Sequence, residues 1–104
     1  SIQQKLILDQ LRHTRGSPIS MERLVFAVYA DRYDGGPDFA NGVVRVQLVR
    51  LRRYLAARDV SILTIGRGRG AQGYMLDPAH LDRLEQVLVD DKHNAIAMAR
   101  ARVA

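Results

Sequence analysis

The chain has 104 residues, which is enough to bury one hydrophobic core but too few for two, so a multidomain architecture is excluded. Hydrophobic residues make up 47% and charged residues 26%, as in soluble globular proteins, and no apolar run approaches the roughly 18 residues of a membrane helix. Because cysteine is absent, disulfides, thiolate nucleophiles and the common zinc sites are excluded. We expect a soluble, cytoplasmic protein that does not bind membranes.

The net charge of +5 is concentrated in one part of the chain. Residues 41–74 contain seven arginines and a single acid, Asp59, whereas the remaining residues hold nine basic and ten acidic side chains. Positive charge confined to one segment is typical of a face that binds an anionic partner, and solubility does not require it.

Two short helices are predicted before residue 31. The first spans residues 2–14, and Gly16 is expected to end it because glycine readily adopts the left-handed conformation. Ser20 is a suitable N-cap for the second helix, predicted from Met21 to about Ala30. The apolar residues at helical spacing are Ile2, Leu6, Ile7 and Leu11 in the first helix and Leu24, Val25, Val28 and Tyr29 in the second.

Residues 31–38, D-R-Y-D-G-G-P-D, are a predicted loop because they contain paired glycines, a proline and repeated aspartates. The acids are not arranged as in a calcium loop, since they do not alternate and no distal glutamate follows, so no metal site is expected. Either Asp38 or Asn41 is expected to cap the next helix.

The stretch from Asn41 to Arg58 is predicted to be a helix with two different sides. The side expected to be buried consists of Val44, Leu48, Leu51 and Leu55. The opposite side carries Val46, Val49, Arg50, Arg53 and Gly42, with Arg45 and Arg52 on one flank and Gln47 on the other. This side is suited to DNA, since arginine binds guanine edges or phosphates and an apolar side chain can contact a thymine methyl group. The alternative is an ordinary amphipathic helix whose arginines are only solvated.

A β-hairpin with a basic tip is predicted after this helix. Val60 to Ile65 is rich in β-branched residues, and Tyr74 to Leu76 is the expected second strand. The connection, Gly66 to Gly73, carries Arg67 and Arg69 among its glycines. It matches G-x-G-x-x-G, but the motif leads into a strand instead of a helix, so no dinucleotide site is expected. The alternative is a glycine-rich loop that binds no ligand.

A C-terminal helical region is predicted after Asp77 and Pro78, which together are typical of a helix start. Its apolar stripe is followed by an alanine-rich end from Ala95 to Val103, and the region is either one bent helix or two. We expect it to pack against the first helix. A dimer contact is the alternative, although the stripe is short and broken for a coiled coil.

No catalytic site, cofactor or small-molecule substrate is predicted. His13, His80 and His93 are scattered along the chain, and no serine lies in a nucleophile motif. We therefore expect that the protein is not an enzyme.

The predicted order of helix, turn, helix, acidic loop, arginine-rich helix and basic hairpin is that of a winged-helix domain. From Leu6 to Leu76 the chain resembles the DNA-binding domain of the OmpR/PhoB family of bacterial response regulators. V-x-V-Q-L-V-R-L-R-R-Y-L, Val44 to Leu55, is similar to the family's recognition helix, V-D-V-H-I-x-R-L-R-x-K-L. The family's wing, I-x-T-V-R-G-x-G-Y-x-L, is matched by Ile62, Thr64 and Ile65 followed by Gly73, Tyr74 and Leu76.

The resemblance implies an α+β winged helix-turn-helix over residues 1–77, with a three-helix core and a hairpin wing, to which residues 78–104 add a packed C-terminal helix. It implies that the residues facing the major groove or its phosphates are Val46, Gln47, Val49, Arg50 and Arg53. Arg45 replaces the family's usual aspartate, and Arg52 matches its backbone-gripping arginine. Arg67 and Arg69 would reach the minor groove. The loop with Asp31, Asp34 and Asp38 lies where family members contact RNA polymerase.

The chain also departs from the family. It has neither the receiver domain nor the four-stranded sheet that precedes the family's first helix, so phosphorylation control is not expected. Its wing is longer than the family's. We expect the C-terminal helix to cover the apolar surface that the missing sheet would have protected.

Three functions fit these features. The first is a sequence-specific, double-stranded DNA-binding transcription regulator that binds alone, as a homodimer or in tandem. The second is a protein-docking module that keeps the winged-helix shape and contacts RNA polymerase or another partner. The third is RNA binding through the G-R-G-R-G tip, to which the helix is poorly suited because it lacks aromatic stacking residues.

Overall fold

The computed structural model describes residues 2–31, 36–66 and 73–103 and shows an α+β fold with four α-helices and a two-stranded antiparallel hairpin. The helices are α1 (Ile2–Thr14), α2 (Met21–Val28), α3 (Ala40–Ala56) and α4 (Leu81–Val103), and the strands are β1 (Ile62–Ile65) and β2 (Gly73–Leu76). One turn of 3-10 helix, Pro78–His80, precedes α4. Within these ranges, no helix is long and apolar enough to cross a bilayer.

The ends of α1 and α2 follow the predicted signals. Gly16 has a φ of 85° just after α1, which is the left-handed conformation expected of a glycine that ends a helix. The Oγ atom of Ser20 accepts a hydrogen bond of 3.1 Å from the backbone N–H of Arg23, as an N-cap should. Both predicted signals are therefore confirmed, although α2 already ends at Val28.

The core-facing side of α1 differs from the predicted one. Ile7, Leu8 and Leu11 are buried, but Ile2 is 79% exposed, so its assignment to the apolar side was wrong. Ile2 precedes Ile7 by five residues, which places it about 140° away around the helix axis. The residues from 2 to 14 form the predicted helix, but Ile2 lies on its solvent-exposed face.

The centre of the hydrophobic core is one side of α3. Val44, Leu48, Leu51 and Leu55 are at most 3% exposed, which confirms the predicted buried side. They form one cluster with apolar residues of the other helices and the hairpin, including the fully buried Ile7, Leu11, Leu24, Leu76 and Leu84. Because one side of α3 is buried this completely, the residues half a turn away must face outward.

The strand β2 has backbone partners on both of its edges. Its partners across the hairpin are Ile62–Leu76, Leu63–Met75, Thr64–Tyr74 and Ile65–Gly73. On the other edge, Tyr74 exchanges two backbone hydrogen bonds of 2.8 Å with Ile19, which lies just before α2. A Cβ atom at Gly73 would lie 2.9 Å from the carbonyl oxygen of Ile19, so this close pairing requires glycine. The hairpin is thereby anchored to the segment between α1 and α2.

The start of α4 follows the predicted signal. The Asp77 carboxylate accepts a hydrogen bond of 3.0 Å from the backbone N–H of Ala79, and Pro78 is the first residue of the 3-10 turn that leads into α4. The helix then continues without interruption to Val103, which settles the choice between one helix and two.

The two halves of α4 have different surroundings. In the first half, Leu84 and Val87 are buried in the shared core, and Glu85 accepts two hydrogen bonds of 3.0 and 2.8 Å from the guanidinium of Arg12 in α1. In the second half, every residue from 92 to 102 is exposed. The first half therefore belongs to the body of the domain, as expected, whereas the second half extends beyond it.

Candidate nucleic-acid interface

The helix α3 begins at Ala40, and its start differs from the predicted one. The N-cap position is held by Phe39, so the prediction that Asp38 or Asn41 caps the helix was wrong. The chain turns into the helix through a hydrogen bond of 3.1 Å from the N–H of Ala40 to the carbonyl oxygen of Pro37. This backbone bond satisfies the N–H group without a side-chain acceptor. As a result, Phe39 lies beside the N-terminus of α3 and is 81% exposed.

The side of α3 opposite the core is open to solvent and carries arginine and valine side chains together. Val46 is 50% and Val49 43% exposed, and Arg45, Arg50 and Arg53 are also exposed. The acids of the described ranges form no ion pair with these three arginines. We call these five residues the α3 outer face. The predicted division of the helix into a buried and an exposed side is confirmed.

The C-terminal helix leaves the α3 outer face uncovered. Its acids lie elsewhere: Glu85 pairs with Arg12, and Asp91 Oδ1 lies 4.0 Å from Nε of Arg58, beyond the C-terminus of α3. The guanidinium of Arg58 also lies 3.7 Å from the ring centroid of Tyr54. Arg58 therefore lies between Tyr54 and α4, and the arginines within α3 carry the charge of the outer face.

Two shallow, adjoining depressions mark the outward side of α3. One, of about 240 Å³, is lined by the five residues of the α3 outer face. The other, of about 500 Å³, extends toward the start of the helix and is lined by Phe39, Gly42, Val43, Val46, Gln47 and Arg50. Phe39 was not among the candidate site residues predicted from the sequence. Its signal in the sequence is a spacing of seven residues from Phe39 to Val46 and again to Arg53, which places all three on one side.

Gln47 lies at the margin of α3 next to α1. It is half-buried, and its Oε1 atom accepts a hydrogen bond of 3.0 Å from Nε2 of Gln4. The two amides form a polar link between α1 and α3. The predicted groove-facing residue Gln47 is therefore oriented by the protein itself, although it also lines the second depression.

Arg52 differs from the neighbouring arginines because β1 holds it. Its Nη2 atom donates a hydrogen bond of 2.8 Å to Oγ1 of Thr64. Its Nε atom is buried and has no hydrogen-bond partner within the described part of the chain. A buried N–H group without an acceptor lowers the free energy of unfolding. The hydrogen bond to Thr64 nevertheless connects α3 to the hairpin.

Of the remaining predicted site residues, the structure describes Asp31 and Asp38. Arg67, Arg69 and Asp34 lie outside the described residues. Asp31 and Asp38, near the two ends of the predicted loop, are exposed.

The three histidines lie in three different elements: His13 in α1, His80 in the 3-10 turn and His93 in α4. Nδ1 of His80 accepts a hydrogen bond of 3.1 Å from the backbone N–H of Ser61, so this imidazole helps to fix the chain between α3 and β1. His13 and His93 are exposed.

The site is thus an exposed helical face of three arginines and two valines, with a hairpin fixed beside it through Arg52. Comparison of the chain with protein-family models, with curated proteins and with solved structures yields no match. The chemistry of the α3 outer face is therefore the basis for assigning a function.

Proposed function

We propose that the chain is a sequence-specific, double-stranded DNA-binding regulator of transcription with a winged-helix fold and without enzymatic activity. The observation that carries the proposal is the α3 outer face, where exposed arginines lie beside half-exposed valines on a helix whose other side is the centre of the core. In water these valines leave apolar surface unburied, and burial of that surface is favourable. The major groove offers valine a methyl group and offers arginine both base acceptors and phosphates.

In this proposal α3 is the recognition helix. A helix about 10–12 Å across fits the major groove, which is about 12 Å wide. Arg50, Val46 and Val49 contact base edges and select the sequence, whereas Arg45 and Arg53 neutralise phosphates and supply affinity. Arg52 contributes to the same task, because a guanidinium has five N–H groups and Thr64 accepts only one of them.

The hairpin is the wing in this proposal, and Arg67 and Arg69 contact the adjacent minor groove. The acidic loop with Asp31, Asp34 and Asp38 is suited to contact RNA polymerase bound next to the site. One copy, a homodimer or tandem copies can occupy the DNA.

A selection of bound duplexes from a random pool, carried out at about 50 and 200 mM salt, tests the proposal. A sequence-specific regulator enriches one motif. If four arginines contact phosphates, the affinity falls about a hundredfold between the two salt concentrations, because each neutralised phosphate releases condensed counterions. A pool without an enriched motif would rule out sequence-specific DNA binding.

Replacing Arg50 with alanine separates base recognition from general charge. The Arg50→Ala variant is expected to lose about 1 to 3 kcal/mol at the preferred site and to discriminate less at the base pair that Arg50 contacts. Arg67→Ala is expected to weaken binding to all duplexes by a similar factor. Fluorescence anisotropy with specific and scrambled duplexes measures both effects.

The matched control is Arg100→Ala, which removes the same charge from an exposed position on α4. This variant should bind like the parent. If Arg50→Ala also binds its site as tightly as the parent, Arg50 does not contact the bases.

A protein-docking module is the second candidate, and the exposed apolar residues of α4 favour it. Val89, Ile96 and Met98 are 47%, 41% and 62% exposed. Apolar docking depends little on ionic strength, whereas contacts between exposed charges are screened. A complex with RNA polymerase that persists at high salt, together with a pool that enriches no DNA motif, would select this function.

A further inference from the structure

The smaller depression on α3 has a composition that narrows the kind of DNA it can recognise. It has a volume of about 240 Å³ and is lined by Arg45, Val46, Val49, Arg50 and Arg53. The valine side chains are entirely apolar, and the arginine stems that border them are apolar up to their charged ends. The depression therefore combines an apolar lining with the charged ends of three arginines.

The C5 position of pyrimidines is the part of the major groove that matches an apolar surface. Other positions on the base edges present hydrogen-bond donors and acceptors, whereas C5 of thymine carries a methyl group, which buries more apolar area than the hydrogen on C5 of cytosine. A methyl group on C5 of cytosine occupies the equivalent position. Valine has no donor or acceptor, so against a bare polar edge it would remove water and return no hydrogen bond. Two valines side by side are matched by pyrimidine methyl groups.

The surrounding arginines indicate what lies next to the methyl group. Val46 and Arg50 are four residues apart on the helix, as are Val49 and Arg53, whereas Val46 and Val49 are three apart, so each valine neighbours the other valine and one arginine. Arginine binds the O6 and N7 atoms of guanine in a bidentate manner. A valine and an arginine in contact are thus matched by a methylated pyrimidine beside a guanine.

We propose that Val46 and Val49 are specificity-determining residues that recognise pyrimidine C5-methyl groups, carried by thymine or 5-methylcytosine, next to a guanine held by Arg50. This inference rests on the proposed DNA-binding function and adds a chemical class of target. It makes affinity depend on single methyl groups in the DNA. Burying one methyl group changes affinity about fourfold.

The experiment uses the full chain and the duplex selected from the random pool. Each thymine in the duplex is replaced in turn by deoxyuridine, which removes the methyl group and leaves the hydrogen-bonding edge unchanged. At one or two positions beside a guanine, we expect binding to weaken about fourfold for each methyl removed. In a second arm, 5-methylcytosine replaces cytosine wherever cytosine precedes guanine in the site. Tighter binding at any such step supports recognition of both methylated bases. Unchanged affinity restricts the proposal to thymine.

The variant Val46→Ala, Val49→Ala tests whether the valines sense the methyl group. Both side chains are about half exposed, so circular dichroism and thermal unfolding are expected to resemble those of the parent. Its affinity should no longer depend on deoxyuridine at the sensitive positions. Val89→Ala is the matched control, because Val89 is 47% exposed on α4, and this variant should keep the full dependence.

Two results would overturn the inference while the proposed function stands. In one, the parent binds its motif selectively but no thymine can be distinguished from deoxyuridine. In the other, deoxyuridine weakens the parent and the double variant by the same factor, which would assign the effect to DNA stiffness. The selection from the random pool comes before any methyl group is changed. If it enriches no motif, the proposed function and this inference are both overturned.

Discussion

Gly73 and Gly42 differ in the space around them: a Cβ atom would clash at Gly73 but not at Gly42. A Cβ atom at Gly73 would lie 2.9 Å from the carbonyl oxygen of Ile19 and 3.1 Å from Cβ of Pro18. A Cβ atom at Gly42 would meet no atom of the described residues within 4 Å. Glycine inside a helix costs about 1 kcal/mol relative to alanine, so packing explains the glycine at 73 but not the one at 42.

Alanine at these two positions is therefore expected to change stability in opposite directions. Gly73→Ala should lower the free energy of unfolding by about 1 to 3 kcal/mol, because the backbone of Ile19 must move away. Gly42→Ala should raise it by up to about 1 kcal/mol, because the helix gains a better helix former in open space. Urea unfolding of the two variants measures both. A Gly73→Ala protein as stable as the parent would show that the segment at Ile19 yields easily.

At the scale of the elements, α1 and α4 are joined by two kinds of contact of unequal weight. The ion pair between Arg12 and Glu85 has good geometry, at 2.8 Å, but its side chains are 39% and 54% exposed. Exposed pairs of this kind contribute about 1 kcal/mol at most. Leu84, one residue before Glu85, is 1% exposed and lies in the core. The apolar contact should therefore dominate.

We expect Leu84→Ala to lower the free energy of unfolding by about 2 to 5 kcal/mol, since it leaves a cavity in the core. Glu85→Gln should lower it by less than about 1 kcal/mol, since water solvates Arg12 when the pair is lost. Denaturant unfolding of the two variants checks the order. If the two variants lose equal amounts of unfolding free energy, the ion pair contributes as much as the apolar contact to holding α1 and α4 together.

The elements that could be predicted from the sequence are those encoded by local patterns. The buried stripe of α3 follows from a 3.6-residue period. The first strand follows from the β-branched run predicted from Val60 to Ile65, of which Ile62–Ile65 forms β1. The cap at Ser20 and the stop at Gly16 each depend on one residue and its immediate neighbours. The exposed side of α3 follows from the same period, so most of the candidate site could be located as well.

Features that depend on distant partners could not be predicted. Thr64, which holds Arg52, is twelve residues away, and Gln4, which binds Gln47, is forty-three residues away. Periodicity places Arg52 on a flank of the outward side, but its bond to Thr64 follows only from the fold. The cap of α3 was missed for a different reason, since the local turn at Pro37 and Ala40 satisfies the helix start through the backbone and uses no capping side chain.

At the scale of the whole molecule, α4 divides into a core-forming half and an exposed half. Leu84 and Val87 complete the core, whereas residues 92–102 are exposed. The helix has 23 residues and is about 34 Å long, so its exposed half extends well past the body of the domain. Only the first half is expected to support the fold.

Two truncations test this division. Deleting residues 79–104 should lower the melting temperature strongly, because the loss of two buried side chains, Leu84 and Val87, costs at least about 3 kcal/mol. Deleting residues 95–104 should change the free energy of unfolding by no more than about 0.5 kcal/mol. Thermal unfolding followed by circular dichroism compares them. An unchanged melting temperature after the longer deletion would show that α4 does not protect the core.

The anchoring of the hairpin has a kinetic consequence. Tyr74 is bonded to Ile19 and Arg52 to Thr64, so the base of the hairpin and α3 form one preorganised unit before any partner arrives. A partner that docks on both elements finds them already fixed relative to each other. Binding therefore loses no conformational entropy in ordering the base of the hairpin against α3. Association should then be limited by diffusion and charge, while substitutions of the uncharged residues of the α3 outer face, Val46 and Val49, act chiefly on how long the complex survives.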